Sequence, residues 1–580
     1  MSRSIGVSLA CWAATWALGQ SVQVRNLALS GQQAPGLAPG VTFSAFDGFS
    51  INANGRVGMF ATITGPGVTV SNRQGIWWDV PGTLQLAMRL GDPAPGQPTF
   101  NYVSTTVPNL NDSGVMAYTA SIAPTGGGIR ESQWTIGPST APAAFAVGFI
   151  QVPGLEAGTL WSGFNLPHIN SNGTMAFRAI LAGVGAGNSH WVGIPSTLSL
   201  AARDASPTGV LPDVNFSGVL NDYAINSAGT YTFRTSLAGA GVTTSNNQAL
   251  WSRSPSGELT LVARTGNQAP GFATGVVYSS IIAGPQIDRA GRIAFTTALT
   301  GPGISSTNDI AAWVYDAGAT TLLIQESDQA PGLPAGVLFN SNFNVTFGGQ
   351  STLALQAQVR GPGVVTANRS GIWKRSGNGP LTLVARGGTP APGVSPAANF
   401  DDLEGSTNIA MNASGRMMFA APLANSNEGL WLEDATGALR LALLELTPFD
   451  VNDDPNITTL KTISSLAFPP KASDDDGRRS AFSDRGEVVF RLSFTDGTSG
   501  AFVAGLPQAC DSIDFNNDTS FFDPQDIDAF LSVYSEGPCI PPTATCNDID
   551  FNNDGSLFDP CDIDSFLLQF SEGPCTLCGQ

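Results

Sequence analysis

A recurring turn motif is the feature that most constrains the fold of this chain. Six copies read NxxG or DxxG, and alternating apolar residues follow them. Their first residues are Asn52, Asn111, Asn170, Asn226, Asp288 and Asn412. Degenerate copies at residues 348–351 and 483–486 make eight, with steps of 56 to 71 residues. A repeat of this length predicts a modular array rather than one ordinary compact core.

Two further markers recur in the same order within each repeat. Apolar strands such as LTLVAR at 259–264 and 381–386 run into Pro-Gly turns. One aromatic per repeat can stack on a sugar, but a large side chain at one strand position in every copy favours a place in the core between units. These aromatics are Trp77, Trp134, Trp191, Trp251, Trp313, Trp373, Trp431 and Phe502.

Each repeat divides into about four short strands. The asparagine of NxxG can close an Asx-turn, and its glycine can take a positive φ. Alternating apolar residues, a GPG loop, the tryptophan strand and the LTLVAR-type strand follow. Eight four-stranded units predict an all-β fold, a β-propeller. Sandwich domains need about 100 residues per unit, and a β-helix has a much shorter repeat.

The two ends of the array indicate how the ring closes. Residues 22–36 form an LTLVAR-type strand with its Pro-Gly turn, and they precede the first motif. The last repeat, ending near residue 505, lacks such a strand. We therefore predict eight blades closed by the N-terminal strand, which hides the open sheet edges. Seven blades, with the irregular last repeat outside the ring, is the alternative.

The repeats over residues 24–505 resemble the secreted NxxGxxAF tandem-repeat proteins of planctomycete-type bacteria. That resemblance implies export and surface attachment, and it implies no known chemistry. Residues 1–19 have a basic start at Arg3, an apolar stretch and a small-residue cleavage site. They predict a secretory signal peptide, with an N-terminal membrane anchor as the alternative. After cleavage we expect no membrane span, a secreted or cell-surface location, and two domains, 20–506 and 507–580.

The net charge of −19 is concentrated at the C-terminus. Residues 510–580 hold twelve Asp, two Glu and no Lys or Arg, a charge of −14, which leaves −5 for the rest. Neither part has the basic stripe that nucleic acid requires, so we expect no nucleic-acid partner.

Catalytic patterns are scarce in the repeat region. It contains neither GxSxG nor HExxH, and we expect its two histidines, His168 and His190, to be structural or surface residues. An insertion at 448–486 carries acidic runs at 453–454 and 474–476, predicted as a solvated loop or as a rim loop or weak ion site. A glycosidase-type carboxylate pair stays open, with candidates predicted in loops: Glu131, Glu156, Glu326, Glu404 and Glu428.

The C-terminal region consists of two 36-residue copies. Each places side-chain oxygens at alternating positions of an acidic loop, and a short apolar-striped helix is predicted after each loop, with Ile527, Phe530, Leu531 and Tyr534 on the first stripe. Hard oxygen ligands without histidine favour calcium. The predicted ligands are Asp514, Asn516, Asp518, Ser520, Asp523 and Asp526, then Asp550, Asn552, Asp554, Ser556, Asp559 and Asp562.

Loop plus exiting helix, twice, resembles a dockerin domain of a Cys-flanked kind. The resemblance implies two calcium ions and a cohesin-like or other surface protein as partner. The loop is one residue longer than usual, and Pro524-Gln525 and Pro560-Cys561 stand where the partner is normally read. Export and clustered cysteines also predict disulfides. By symmetry we expect Cys510–Cys539 and Cys546–Cys575, with the pairing of Cys561 and Cys578 open.

The sequence as a whole predicts an exported, non-catalytic binding or scaffold propeller, presented at a surface or in a matrix by a calcium-dependent dockerin-like tail. Its ligand would be a glycan, a protein or a peptide. The alternative is a glycan-degrading propeller enzyme of glycoside hydrolase type, brought to its substrate by the same tail.

Overall fold

The repeat region folds as eight antiparallel sheets built on one four-strand plan. The structure is a computed structural model, and it describes residues 22–80, 83–404, 408–452, 457–469, 473, 475–506, 513–516, 524–535, 537–539, 549, 551 and 560–570. Inner strands of successive sheets contact one another, so the sheets stand around a common axis as propeller blades. The predicted β-propeller is confirmed.

Blades 1 to 4 follow the repeats in order, from the inner to the outer strand. In blades 2 and 3 the inner strand is split in two. Blade 1 comprises Thr42–Ile51, Val57–Thr64, Gln74–Trp78 and Gln85–Arg89. Blade 2 comprises Phe100–Thr105 with Asn109–Leu110, Met116–Pro124, Arg130–Ile136 and Ala143–Val147. Blade 3 comprises Thr159–Phe164 with His168–Ile169, Met175–Gly183, Gly187–Gly193 and Ser199–Arg203. Blade 4 comprises Val214–Ile225, Tyr231–Gly239, Gln248–Arg253 and Leu259–Arg264.

Blades 5 to 8 continue the same order, and blade 6 again has a split inner strand and a short 3-10 turn, Thr366–Asn368. Blade 5 comprises Val277–Ile287, Ile293–Thr300, Ile310–Asp316 and Ala319–Gln325. Blade 6 comprises Leu338–Phe339 with Asn344–Phe347, Thr352–Arg360, Ser370–Ser376 and Thr382–Arg386. Blade 7 comprises Ile409–Met411, Met417–Pro422, Glu428–Glu433 and Leu439–Leu444. Blade 8 comprises Pro448–Asp450, Leu460–Ala467, Glu487–Phe494, Ser499–Gly505 and Gln23–Leu29.

The N-terminal strand closes the ring as predicted. Gln23–Leu29 pairs antiparallel with Ser499–Gly505 as the outer strand of blade 8, from Gln23↔Gly505 to Leu29↔Gly500. Blade 8 in turn contacts blade 1, where Arg491 Nη1 donates to the carbonyl of Phe46 over 3.1 Å. The seven-bladed alternative is wrong, because the last repeat forms a full blade of the ring.

The recurring aromatic lies in the core of every blade, as predicted. Its seven tryptophans and Phe502 are all at most 2% exposed. Burying an aromatic of 150–250 Å² at about 25 cal/mol per Å² stabilises the fold by roughly 4–6 kcal/mol per side chain. Each indole N–H is satisfied locally: Trp77 and Trp373 donate to proline carbonyls of the Pro-Gly turns, and Trp313 donates to Thr297.

The NxxG turns join neighbouring blades as well as neighbouring strands. Asn52 Oδ1 accepts from the backbone N–H of Asn54 and Arg56 at 3.1 and 2.8 Å, and Gly55 has φ 75°. This confirms the predicted Asx-turn and leaves the amide Nδ2 to reach the next blade. We call the following set the asparagine relay: Asn52 to Asn111 O (3.0 Å), Asn111 to Asn170 O (2.8 Å), Asn170 to Asn226 O (2.8 Å), Asn226 to Asp288 O (2.9 Å) and Asn412 to Ser483 O (3.1 Å).

Two helices are described in the C-terminal region, Pro524–Tyr534 and Pro560–Phe570. They pack through one shared cluster that includes Phe515, Phe530, Phe551 and Phe566. The Phe530 and Phe566 rings stack with their centroids 4.2 Å apart. The same position departs from the predicted apolar stripe in both helices, because Leu531 is 47% exposed and its counterpart Leu567 is 49% exposed.

Candidate functional site

Part of the 448–486 insertion lies on the propeller axis. Residues 473 and 475–482, here called the channel segment, touch the inner strands of many blades. Backbone N–H groups of blades 1, 3 and 4 donate to it: Ile51 to Ser480 O (3.0 Å), Ile169 to Gly477 O (2.9 Å) and Ile225 to Asp476 O (3.2 Å).

Side chains and a backbone amide from three more blades complete this attachment. Asn109 Nδ2 of blade 2 donates to Gly477 O over 2.6 Å, and the Phe347 N–H of blade 6 donates to Ser473 Oγ over 3.1 Å. Gln286 Oε1 of blade 5 accepts from Ser473 Oγ and from Arg478. A segment that meets six inner strands must cross the centre of the ring. The prediction of a solvated loop or a rim loop is therefore wrong for these residues. Hydrogen bonds with main-chain and side-chain groups of the inner strands hold the segment inside the ring. The acidic positions 453, 454 and 474 lie outside the described residues.

Two carboxylates near the axis, those of Asp475 and Asp484, accept hydrogen bonds from neighbouring blades. Asp475 Oδ2 accepts from the Ser227 N–H over 2.9 Å, and Asp484 Oδ1 accepts from the Ala413 N–H over 2.8 Å. Arg289 lies between them, 3.9 Å from Asp475 and 3.7 Å from Asp484. Burial raises the pKa of Asp475 and of Asp484, and the charge of Arg289 partly opposes that increase. Each of these two carboxylates therefore ties one blade to another by accepting from the main chain.

Asp476 is the most buried acid of the channel segment, at 1% exposure. Its oxygens accept from the N–H groups of Ser473 and Arg478 and from the Arg478 guanidinium. Burial raises the pKa of Asp476, and the Arg478 charge lowers it in part. Arg478 also donates to the carbonyls of Tyr223 and Pro285, so the pair fixes the segment to blades 4 and 5.

Three of the five candidate glutamates bind neighbours in structural contacts. Glu131 lies in a strand, not in a loop as predicted, and accepts from the Phe164 N–H over 2.8 Å. Glu156 is exposed and pairs with Arg203 over 2.9 Å, which lowers its pKa. Glu404 accepts from Asn342 Nδ2 over 2.6 Å and binds Arg369.

The other two glutamates each have a carboxyl neighbour that sequence reasoning missed. Burial raises the pKa of Glu326, and Asp309 beside it adds to the increase. Burial likewise raises the pKa of Glu428, a strand residue rather than a loop residue, whose N–H donates to Glu445 Oε2 over 2.9 Å. Each pair lies where the third strand of a blade begins and the outer strand ends. Asp309 directly precedes Ile310–Asp316 and Glu326 directly follows Ala319–Gln325, while Glu428 begins Glu428–Glu433 and Glu445 directly follows Leu439–Leu444. Neither pair belongs to the carboxylates that hold the channel segment.

The histidines lie at the boundary between blades 3 and 4. His190 is fully buried, its Nε2 contacts the Leu220 carbonyl at 2.8 Å, and its Nδ1 contacts the Tyr231 hydroxyl. Burial lowers the pKa of His190 to about 3, so the ring is neutral. The His168 ring packs on Tyr223 with centroids 4.4 Å apart.

An open cleft of about 600 Å³ lies between the inner parts of blades 5 and 6 and reaches Glu404. The inner strand of blade 5 is bulged on either side of Ala283, and the inner strand of blade 6 is interrupted between Phe339 and Asn344. Sequence reasoning missed this cleft, because its lining residues are spread between residues 282 and 408 and form no sequence motif.

Three of the predicted calcium ligands can be placed around the first C-terminal loop. Asp514, Asn516 and Asp526 are 6%, 1% and 0% exposed. The Asn516 N–H lies 3.5 Å from Asp526 Oδ1, so the start of the loop and the start of the helix come together. In the second copy Asp562 is equally buried, at 0% exposure.

The remaining predictions for this region fall outside the described residues. They concern Asp518, Ser520, Asp523, Asp550, Asn552, Asp554, Ser556 and Asp559, the cysteines Cys510, Cys546 and Cys575, and the signal peptide. Cys539 is described and lies shortly after the first helix. Calcium binding and the disulfide pairing therefore stay predictions.

The chain belongs to a protein family described as a family of unknown function, DUF7453, whose model matches residues 4–136 and 165–508. No curated protein matches the chain. Separately, none of the helices among the described residues combines the length and apolar character that crossing a bilayer requires.

Several solved structures share the propeller architecture at low identity. The β-propeller domain of the Trilobed protease from Pyrococcus furiosus is 8% identical, with a TM-score of 0.35 over 69% of this chain and 92% of that one. An acylaminoacyl peptidase from Pyrococcus horikoshii is 10% identical, with a TM-score of 0.33 over 67% of this chain and 50% of the peptidase. The six-bladed lectin of Aleuria aurantia is 11% identical, with a TM-score of 0.23 over 58% and 93%. These likenesses extend to the fold alone.

Proposed function

We propose that the protein is an exported, non-catalytic binding or scaffold propeller that its C-terminal domain holds at a surface or in a matrix in a calcium-dependent way. The observation that carries the non-catalytic part is the channel segment. Propeller chemistry on a glycan would need an acid and a base facing a substrate across an open space. Here Asp475 and Asp484 accept from main-chain N–H groups of blades 4 and 7, and Asp476 accepts from N–H groups of the channel segment itself.

The calcium-dependent part rests on the oxygen donors of the first loop. Asp514, Asn516 and Asp526 are 6%, 1% and 0% exposed, and each carries a side-chain oxygen. A buried carboxylate is costly unless a cation or strong donors compensate its charge. Carboxylate and amide oxygens from Asp514, Asn516 and Asp526 fit calcium, which would neutralise the loop and fix it to the helix.

The partner of this domain would be a cohesin-like or other surface protein, bound through residues 507–580. The proposal thus gives the two parts of the chain separate tasks. The C-terminal domain attaches, and the propeller binds.

Calcium titration of the oxidised full-length chain by calorimetry tests the attachment part. We expect two sites in the parent protein, one in Asp526→Ala, and two in the matched variant Asp316→Ala, whose carboxylate is exposed on the propeller. Failure of the parent protein to bind calcium would contradict the proposal, and so would an Asp526→Ala variant that binds as the parent does.

A further inference from the structure

One position on the second strand explains why a cleft exists between blades 5 and 6. In blades 3, 4 and 8 the residue after the partner of the recurring aromatic is an arginine that donates to a carbonyl of the next blade. Arg178 Nε reaches Val219 O over 3.0 Å, Arg234 reaches Ile281 O, and Arg491 reaches Phe46 O. These long side chains cross the space between the blades.

Blade 5 has a threonine at this position. Thr296 Oγ1 donates to the Phe343 carbonyl over 3.0 Å, so the contact between blades is kept by a much smaller side chain. Its partner across the strands is Ala312. Blade 2 also has a threonine, Thr119, but Gln133 beside it extends to Asn165 O over 2.7 Å. Only in blade 5 are both residues of the pair small, and Thr296 lines the cleft.

The polar side chains that line the cleft carry almost no charge. Among the described lining residues there is no Lys or Arg, and the one carboxylate, Glu404, is already bound by Asn342 and Arg369. The other polar side chains of the lining are amides and hydroxyls: Thr296, Ser341, Asn342, Asn344, Gln356, Gln358, Ser370 and Asn408. Such a lining does not compensate an anion or a cation.

Two of these amides are available to a ligand. Within the described part of the chain, the side chains of Asn344 and Asn408 make no hydrogen bond, whereas Gln356 donates to Leu403 O. Aliphatic groups lie beside them, including Ile282, which is 47% exposed. Amides that both donate and accept, next to aliphatic carbon, match the alternating O–H and C–H surface of a sugar.

We propose that the cleft between blades 5 and 6 binds a segment of an uncharged oligosaccharide. This inference rests on the proposed binding function and adds its site and its class of ligand. Asn344 and Asn408 would bond the sugar hydroxyls, and Ile282 and Ala283 would pack against ring carbons. An extended peptide is the competing occupant, and it is less favoured because the one charged group among the described lining residues, Glu404, is already bound by Asn342 and Arg369.

The test is calorimetric binding of the full-length chain to neutral hexasaccharides of glucose, xylose, mannose and N-acetylglucosamine. Oligogalacturonate and a mixed-sequence peptide serve as contrasting ligands. Thr296→Arg restores the arginine of blades 3, 4 and 8, and it can keep the bond to Phe343 O while filling the cleft. We expect at least one neutral sugar to bind, and Thr296→Arg to weaken that binding roughly tenfold or more. Ser139→Arg, an added arginine on an exposed turn of blade 2, should bind as the parent protein does.

Two further variants keep the test decisive if Thr296→Arg does not fold. Asn344→Ala and Asn408→Ala remove only amide groups and should each weaken sugar binding severalfold. Sugar binding that none of these variants changes would overturn the assignment of the cleft while leaving a binding propeller. Binding of the peptide or the anionic sugar alone would overturn the ligand class. Absence of sugar binding would overturn this inference, and the calcium titration would still test the attachment part of the proposed function separately.

Discussion

The asparagine relay makes a testable claim about what stabilises the ring. Asn111 is buried, its Nδ2 donates to Asn170 O over 2.8 Å, and its Oδ1 accepts from the Val115 N–H over 2.7 Å. Asn111→Ala removes both bonds and leaves the partly buried Val115 N–H unsatisfied, whereas the Asn170 carbonyl still accepts from the Gly173 N–H over 3.0 Å. At about 1–3 kcal/mol for the unsatisfied donor and about 1 kcal/mol for the lost bond to Asn170 O, we expect a loss of roughly 2–4 kcal/mol in the free energy of unfolding.

Asn111→Asp separates the turn from the contact between blades. The carboxylate can still accept from the Val115 N–H, but it can no longer donate and would face the Asn170 carbonyl. We therefore expect a loss at least as large as for alanine. Blade 5 shows the natural compensation, because Asp288 there binds the Arg292 side chain four residues later over 2.6 Å. Adding Val115→Arg to Asn111→Asp should recover part of the loss.

The assay is urea denaturation followed by tryptophan fluorescence, with amide hydrogen exchange at Val115 to locate the effect. Asn378→Ala, on an exposed turn of blade 6, is the matched control. The reasoning is refuted if Asn111→Ala unfolds within about 0.5 kcal/mol of that control, the range of ordinary surface substitutions. It is also refuted if Asn111→Asp is as stable as the parent, since the turn alone would then account for the motif.

Three other predictions follow from the fold. Gly477→Ala places a Cβ 2.7 Å from Ile225 Cγ2 and should destabilise the protein more than Gly497→Ala, which has similar φ but no atom within 4 Å; thermal unfolding of both variants compares them, and equal midpoints would contradict a packed channel segment. His190 is neutral in the folded protein, because burial lowers its pKa to about 3. The loss of folding free energy from keeping this ring neutral therefore grows as the pH falls below the unfolded pKa near 6.5, and it reaches about 2 kcal/mol at pH 5. Buried carboxyls such as Asp476 act in the opposite direction, so the test is the difference between the parent and His190→Gln in urea at pH 7 and pH 5, and a difference that does not change with pH would count against it. Deleting residues 22–30 removes the outer strand of blade 8, exposes its edge and should give lower thermal midpoints and self-association on size-exclusion chromatography, whereas a monodisperse protein of unchanged midpoint would contradict closure by this strand.

Most of the fold could be predicted from the sequence repeat. One turn motif, one aromatic and one Pro-Gly turn per repeat predicted eight blades, a tryptophan core and closure by residues 22–36. These features can be predicted from the sequence because they depend on local turn chemistry and on side chains buried at a fixed spacing.

The candidate sites could not be predicted from the sequence in the same way, because they depend on contacts between residues that are far apart in the chain. The channel segment looks like an acidic loop in the sequence, because its partners are backbone and side-chain groups of six other blades that are remote from it in the chain. The cleft includes Thr296, whose small side chain is informative only in comparison with the arginines at the same position of blades 3, 4 and 8. Asp526 was predicted as an oxygen ligand from its place in the loop, but its complete burial could be found only in the structure.

Whether the propeller turns over a bound sugar is the most direct test of the account. The full-length protein with calcium would be incubated with the neutral hexasaccharides and the products separated by chromatography. We predict that every hexasaccharide is recovered intact, because the carboxylates at the axis hold the channel segment. Cleavage that is lost in Asp475→Asn or Asp484→Asn, with the fold retained, would contradict a binding propeller and identify an enzyme.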